Sequence, residues 1–213
     1  MTSLRQQRLA RFRDDIVTGK PDSDDNLFRV LYGLPPEIQI EVARYMTARF
    51  LPVYRVHHPS VRWPEVILLG VDQYFSATGP GLPDEPEASL GGDAAFYNCL
   101  YGLSDAWSYA KENNLPRVTP ACCTILIWAV AARASNVWYA DDPEAVQAWI
   151  DNDSEALIGR TTRHNVASQA VRKREWLIVA DWLEEYGVGS HPDTEDAERE
   201  EVLVWWKDRE CLL

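Results

Sequence analysis

The chain has 213 residues, 46% of them hydrophobic and 25% charged, with 33 acidic against 21 basic residues and a net charge of −12. These proportions exclude wholesale disorder and leave room for a substantial core. A pI near 4.8 opposes nonspecific binding to nucleic acid or to an anionic membrane, which needs concentrated lysine and arginine.

The first eight residues contain no apolar stretch of the secretory kind. The longest apolar run, Ala121 to Ala132, is interrupted only by Thr124 and is short of the roughly 20 residues a bilayer span requires. A cytoplasmic protein without membrane association is therefore expected. Cys99, Cys122, Cys123 and Cys211 include no C-x-x-C pair, which reads as free thiols in a reducing compartment.

A first helix is predicted over about 3–17, with Leu9, Phe12 and Ile16 as its apolar stripe and Arg5, Arg8, Arg11 and Arg13 crowding its start. Residues 1–20 read as a basic helix or arm, and 21–213 as one helical domain. Pro35-Pro36-Glu37 opens a second helix in which Ile38, Val42, Met46 and Phe50 recur every four residues. Pro52 ends or kinks it, and 53–64 is expected to be a connection. Pro64 and Glu65 restart a helix through Val66, Leu69 and Phe75.

Residues 77–92 hold seven Gly or Pro in sixteen positions and read as a loop. Asp93 is placed to cap the next helix, with Phe96, Leu100, Leu103 and Trp107 on one side and Tyr97, Tyr101 and Asp105 on another. Thr119-Pro120 has the form of an N-cap followed by a first-turn proline. The helix that follows, about 120–140, is apolar nearly all round and is expected to be central. Asp142-Pro143-Glu144 starts a short helix, and Thr162 a long one to Tyr186, capped by Gly187, with Ala167, Val171, Ile178 and Trp182 inward. A final acidic helix begins near Asp193 and carries Glu198 and Glu201 in its early turns and Trp205-Trp206 near its end. No segment alternates with period two, so the expected fold is all-α: a compact multi-helix domain around the central apolar helix.

Catalytic motifs are missing. There is no H-E-x-x-H, P-loop, G-x-G-x-x-G or G-x-S-x-G, and no metal, cofactor or catalytic residue is expected. His57 and His58 with Glu65 and Asp72 are the one place where an unrecognised helical active site can be imagined. Arg160, Arg163, His164, Arg172, Lys173 and Arg174 form the one basic cluster able to meet nucleic acid, against the overall charge.

Nine tryptophans are a surplus for this length. Trp107, Trp128, Trp176 and Trp182 fall on or near apolar stripes and are expected in the core. Trp63, between Arg62 and Pro64, and the adjacent Trp205 and Trp206 are expected to include exposed anchors, and exposed aromatics beside acids are the composition of a protein-binding hot spot.

The stretch Val179-Ala180-Asp181-Trp182-Leu183-Glu184-Glu185-Tyr186-Gly187 resembles the A-D-W-L-E-E-x-G core of short helical segments in bacterial repeat-companion domains. That resemblance implies a bacterial origin and a helix there. The acidic, tryptophan-rich profile is similar in style to bacterial immunity proteins that neutralise toxins. The functional expectation is an immunity-like inhibitor or defence-system accessory that masks a basic partner protein through Trp63, Tyr97, Tyr101, Asp105, Glu198, Glu201, Trp205 and Trp206. An enzyme around His57 and His58, or a nucleic-acid binder using 160–174, are the alternatives.

Overall fold

The computed structural model describes residues 4–19, 24–69, 91–141 and 153–185, with the isolated positions 144, 147, 148 and 151. Among these, helices alternate with short turns and no strand occurs. In chain order they are α1 Leu4–Thr18, α2 Asp24–Tyr32, α3 Pro36–Ala48, α4 Leu51–His57, α5 Trp63–Leu69, α6 Asp93–Lys111, α7 Leu115–Asp141 and α8 Ser154–Leu183. The all-α expectation holds.

The core is assembled on α7. It packs most extensively on α6, and also on α8, α3 and α2. Val118, Cys122, Ile125, Leu126, Ala129, Val130 and Ala132 are buried along it. The stretch Pro116–Trp138 is long and apolar enough by composition to cross a membrane, longer than the run Ala121 to Ala132 suggests, and more than half of its apolar window is buried within the fold. Each large side chain that goes fully inside contributes about 1.5–3 kcal/mol, so a helix covered on several sides dominates the stability of the domain.

Helix α1 follows its apolar stripe: Leu9, Phe12 and Ile16 are buried, and Phe12 meets Trp176 of α8 edge-on with centroids 5.9 Å apart. Two arginines of its basic face, Arg8 and Arg13, pair within the molecule. Arg13 binds Asp181 of α8 at 2.7 Å and Glu184, the residue that follows that helix, at 2.5 Å, and Arg8 donates to the carbonyl of Arg29 at 3.1 Å. The helix thereby joins the core through α2 and α8.

Several sequence expectations are corrected. Helix α2 is not among the elements expected from sequence, although its buried Leu27, Val30, Leu31 and the following Leu34 keep helical spacing. Residues 51–57 are helix α4 rather than connection. Pro52 sits in the first turn of that helix, where no N–H is required, and it starts the helix instead of breaking it. Ile67 and Leu68 form the buried face of α5, while Val66 and Leu69 are exposed.

Helix α7 begins at Leu115, so Thr119-Pro120 is interior and Pro116 holds the first turn. The donor Pro120 lacks would have served the carbonyl of Pro116, and both prolines are exposed, so water can take that place. Helix α8 begins at Ser154, not Thr162: Asp153 caps it by accepting from the Ala156 N–H at 3.1 Å. Its buried face is Trp176, Val179, Ala180 and Leu183, with Val171, Ile178 and Trp182 half-buried. Pro36 is the first residue of α3, as expected, whereas Pro143, Phe75, Tyr186, Gly187 and the helix from Asp193 lie outside the described residues.

Trp128 is not core. It is 40% exposed, while Trp176 is fully buried and Trp107 and Trp182 are half-buried. An all-round apolar helix need not be covered all round, and Trp128 shows which side of α7 is open.

Candidate functional site

The tightest convergence of chemistry-bearing residues lies along α6. Asp93, Tyr97, Tyr101 and Asp105 follow one another at four-residue spacing. Four residues overshoot a helical turn by about 40°, so this line winds from the interior to the surface. Asp93 is 2% exposed, Tyr97 is half-buried, Tyr101 is 53% exposed and Asp105 is exposed. Phe96, Cys99, Leu100, Leu103 and Ala106 occupy the inward side and fix the helix rotation.

At the buried end, Asp93 does not cap α6 with its side chain. Gly92 holds the N-cap position at φ 94°, and no side-chain cap hydrogen bond is made there. A Cβ at Gly92 would run into the Ala132 carbonyl and the Phe50 ring, so glycine is required for both conformation and space. The Asp93 carboxylate instead receives two imidazoles: His57 Nδ1 lies 2.8 Å from Oδ1, and His58 Nε2 lies 2.8 Å from Oδ2. His57 ends α4 and His58 follows it, so successive residues swing their rings onto one acid, the ring centroids 6.3 Å apart at 79°. His58 also lies against Tyr54, which packs on Phe96, at centroid distances of 4.6 and 4.9 Å. As neutral donors the rings would carry their protons on His57 Nδ1 and His58 Nε2. The arrangement clamps the end of α4 to the start of α6, where the helix dipole also favours a carboxylate.

The sequence expectation placed Glu65 and Asp72 with these histidines. Glu65 is instead bound by Arg55 Nε at 2.6 Å and Arg62 at 3.0 Å, one arginine from α4 and one from the turn just before α5. These two arginines, Arg55 first, hold its carboxyl below the usual glutamate range. Asp72 lies outside the described residues. The signal for Asp93 was present in sequence as an acid directly after Gly-Gly, but capping is the commoner use of such a residue, and the pairing spans 36 positions.

In the middle of the line, Trp63 at the start of α5 meets Tyr97 edge-on, centroids 6.0 Å apart at 81°. Trp63 is therefore half-buried against α6, and the two predicted anchors form one unit.

The exposed end opens into a groove of about 350 Å³ between α6 and α7, lined by Gly102, Asp105, Tyr109, Arg117, Pro120 and Thr124 among others. Gly102 lets the helices approach, since a Cβ there would stand 2.7 Å from Ile125 Cγ1. Trp128 lies one turn beyond Thr124 on α7, Tyr101 lies one turn before Asp105 on α6, and both rings are exposed. The Asp105 carboxyl is raised above the usual aspartate range by desolvation.

The remaining candidates do not join this line. Trp205, Trp206, Glu198, Glu201 and Cys211 lie outside the described residues. Arg172, Lys173 and Arg174 sit on α8, as do Arg160, Arg163 and His164. Cys99, Cys122 and Cys123 are buried free thiols. Desolvation pushes Cys99 and Cys122 far above the usual thiol range, the opposite of what a thiolate nucleophile needs. Among the described residues no group of three or more His, Cys, Asp or Glu is arranged to hold a metal ion. Trp128 is the surface residue that sequence reasoning missed. No family model, no curated protein and no solved structure matches the chain.

Proposed function

We propose that this chain is a protein-binding module, of the kind that inhibits or accompanies a bacterial toxin or defence effector, and that it holds a basic partner surface against the open side of α6 and α7. The observation that carries this reading is the joint exposure of Tyr101 and Trp128, 53% and 40%, beside Asp105. Large aromatics standing out from helices whose other faces build the core are typical of hot-spot anchors, which add contact area at small entropic cost. The net charge of −12 favours a basic partner by raising the encounter rate, while the aromatics slow dissociation.

The test is capture from the bacterial host, followed by measured binding of the purified partner at two salt concentrations. Tyr101→Ala or Trp128→Ala should weaken binding by about 2 kcal/mol or more, and raising salt should weaken it further by screening the long-range attraction over roughly 8–10 Å. A partner whose affinity ignores salt and both substitutions would overturn the reading, as would recovery of nucleic acid in place of protein.

A further inference from the structure

We propose that the groove between α6 and α7 receives a single cationic side chain, the guanidinium or ammonium group of a partner's arginine or lysine, with Asp105 as its counter-charge. This rests on the protein-binding reading for its biological partner, but its chemistry stands on the groove alone.

Three observations support it. First, Asp105 is an acid without a counter-ion: among the described residues its carboxylate makes no ion pair or hydrogen bond. Several acids elsewhere in the fold contrast with it. Glu175 is held by Arg49, Glu41 by Arg44, Glu65 by Arg55 and Arg62, and Asp181 by Arg13. Second, the groove is shaped for an aliphatic stem ending in a charge. Pro116, Pro120, Ala121 and the Tyr109 ring offer apolar wall, and about 350 Å³ exceeds what one long side chain needs. Third, the walls of the groove partly desolvate Asp105 and raise its carboxyl above the usual aspartate range. A cation delivered there offsets that cost and gains a charge-assisted hydrogen bond.

Arg117 also lines the groove and supplies the internal control. Its guanidinium stands over the Tyr109 ring, 5.5 Å from the centroid, so its charge is directed to the aromatic face. It leaves Asp105 open, but it opposes an incoming cation. The groove should therefore bind weakly to an isolated side chain, and more tightly once Arg117 loses its charge.

The experiment uses the full chain and N-acetylarginine methylamide as the probe, with the neutral citrulline analogue as its control. Binding is followed by NMR at the Asp105 carboxyl and the Tyr109 and Tyr101 rings. The arginine probe should shift these signals saturably and lower the Asp105 titration midpoint. Asp105→Asn should abolish the response, and Arg117→Gln should tighten it several-fold. Equal response to citrulline, or no response in the wild type and in Arg117→Gln alike, would overturn the proposal. If the probe binds but no protein partner is captured, the groove stands and the proposed function fails. If a partner depends on Tyr101 and Trp128 yet ignores Asp105→Asn, the groove assignment fails alone.

Discussion

Arg49 donates two hydrogen bonds to the buried carboxylate of Glu175, from Nε at 2.8 Å and a terminal nitrogen at 3.2 Å, across 126 positions of sequence. Arg133 Nε of α7 stands 3.5 Å from the same carboxylate, so one acid on α8 ties together the end of α3 and the middle of α7. The pairing with Glu175 raises the Arg49 pKa further. Glu175→Ala leaves the half-buried guanidinium groups of Arg49 and Arg133 without their counter-ion, and it should cost about 3 kcal/mol, the low end for a broken buried pair. Replacing Arg49 and Glu175 together by apolar residues of similar volume should cost much less than the sum of the single changes. Chemical denaturation of the four proteins of this cycle measures both numbers. Strict additivity would show that the pair is not coupled.

The clamp on Asp93 predicts a defined imidazole chemistry. With both rings neutral, nitrogen NMR should find the proton of His57 on Nδ1 and that of His58 on Nε2, opposite tautomers on neighbouring residues. Asp93→Ala removes the acceptor of both and should destabilise the fold by about 1.5–3 kcal/mol per hydrogen bond to the charged group. Asp93→Asn keeps the shape and one acceptor oxygen, so one ring should keep its tautomer while the other exchanges it to accept from the amide. A wild-type spectrum with identical tautomers at both positions would contradict the clamp geometry.

How far the sequence could be read follows from the range of each interaction. Helices α1 and α3 were legible because Leu9, Phe12 and Ile16, and Ile38, Val42 and Met46, repeat an apolar residue once per turn and are all buried, whereas Phe50, which continues the second series and is also buried, stands at the start of α4. Local signals failed where two readings compete. A proline at Pro52 or Pro120 can end, start or sit within a helix, and only the neighbouring turns decide which. Trp128 was misplaced because an apolar helix gives no periodicity from which to find its open side. Of the candidate site, Tyr97, Tyr101 and Asp105 were visible as one helical face, whereas the histidine–Asp93 and Trp63–Tyr97 pairings required tertiary contact that no spacing encodes.

Glu65 makes a prediction about acid. Arg55, and after it Arg62, hold its folded carboxyl below the value it has in the unfolded chain. A group with a depressed folded pKa contributes stability that is present above its unfolded pKa and is lost as pH falls through the folded one. The difference in stability between wild type and Glu65→Gln should therefore be constant near neutral pH and shrink on acidification below the ordinary glutamate range. Direct carboxyl titration should show Arg55→Ala moving the Glu65 midpoint upward by more than Arg62→Ala does. The reverse order would place the main interaction on Arg62.

The two classes of tryptophan should separate cleanly. Trp176 is fully buried and touches Phe12 edge-on. Trp176→Ala should open a cavity between α1 and α8 and cost about 3–5 kcal/mol. Trp128, on the open side of α7, has room for water at its edge, and Trp128→Ala should change stability much less while removing the larger of the two exposed anchors. Thermal or chemical unfolding of the two variants decides the first half of this contrast, and partner binding the second. If Trp128→Ala unfolds the protein as readily as Trp176→Ala, its exposed indole is structural, and Tyr101 is left as the sole aromatic anchor of this face.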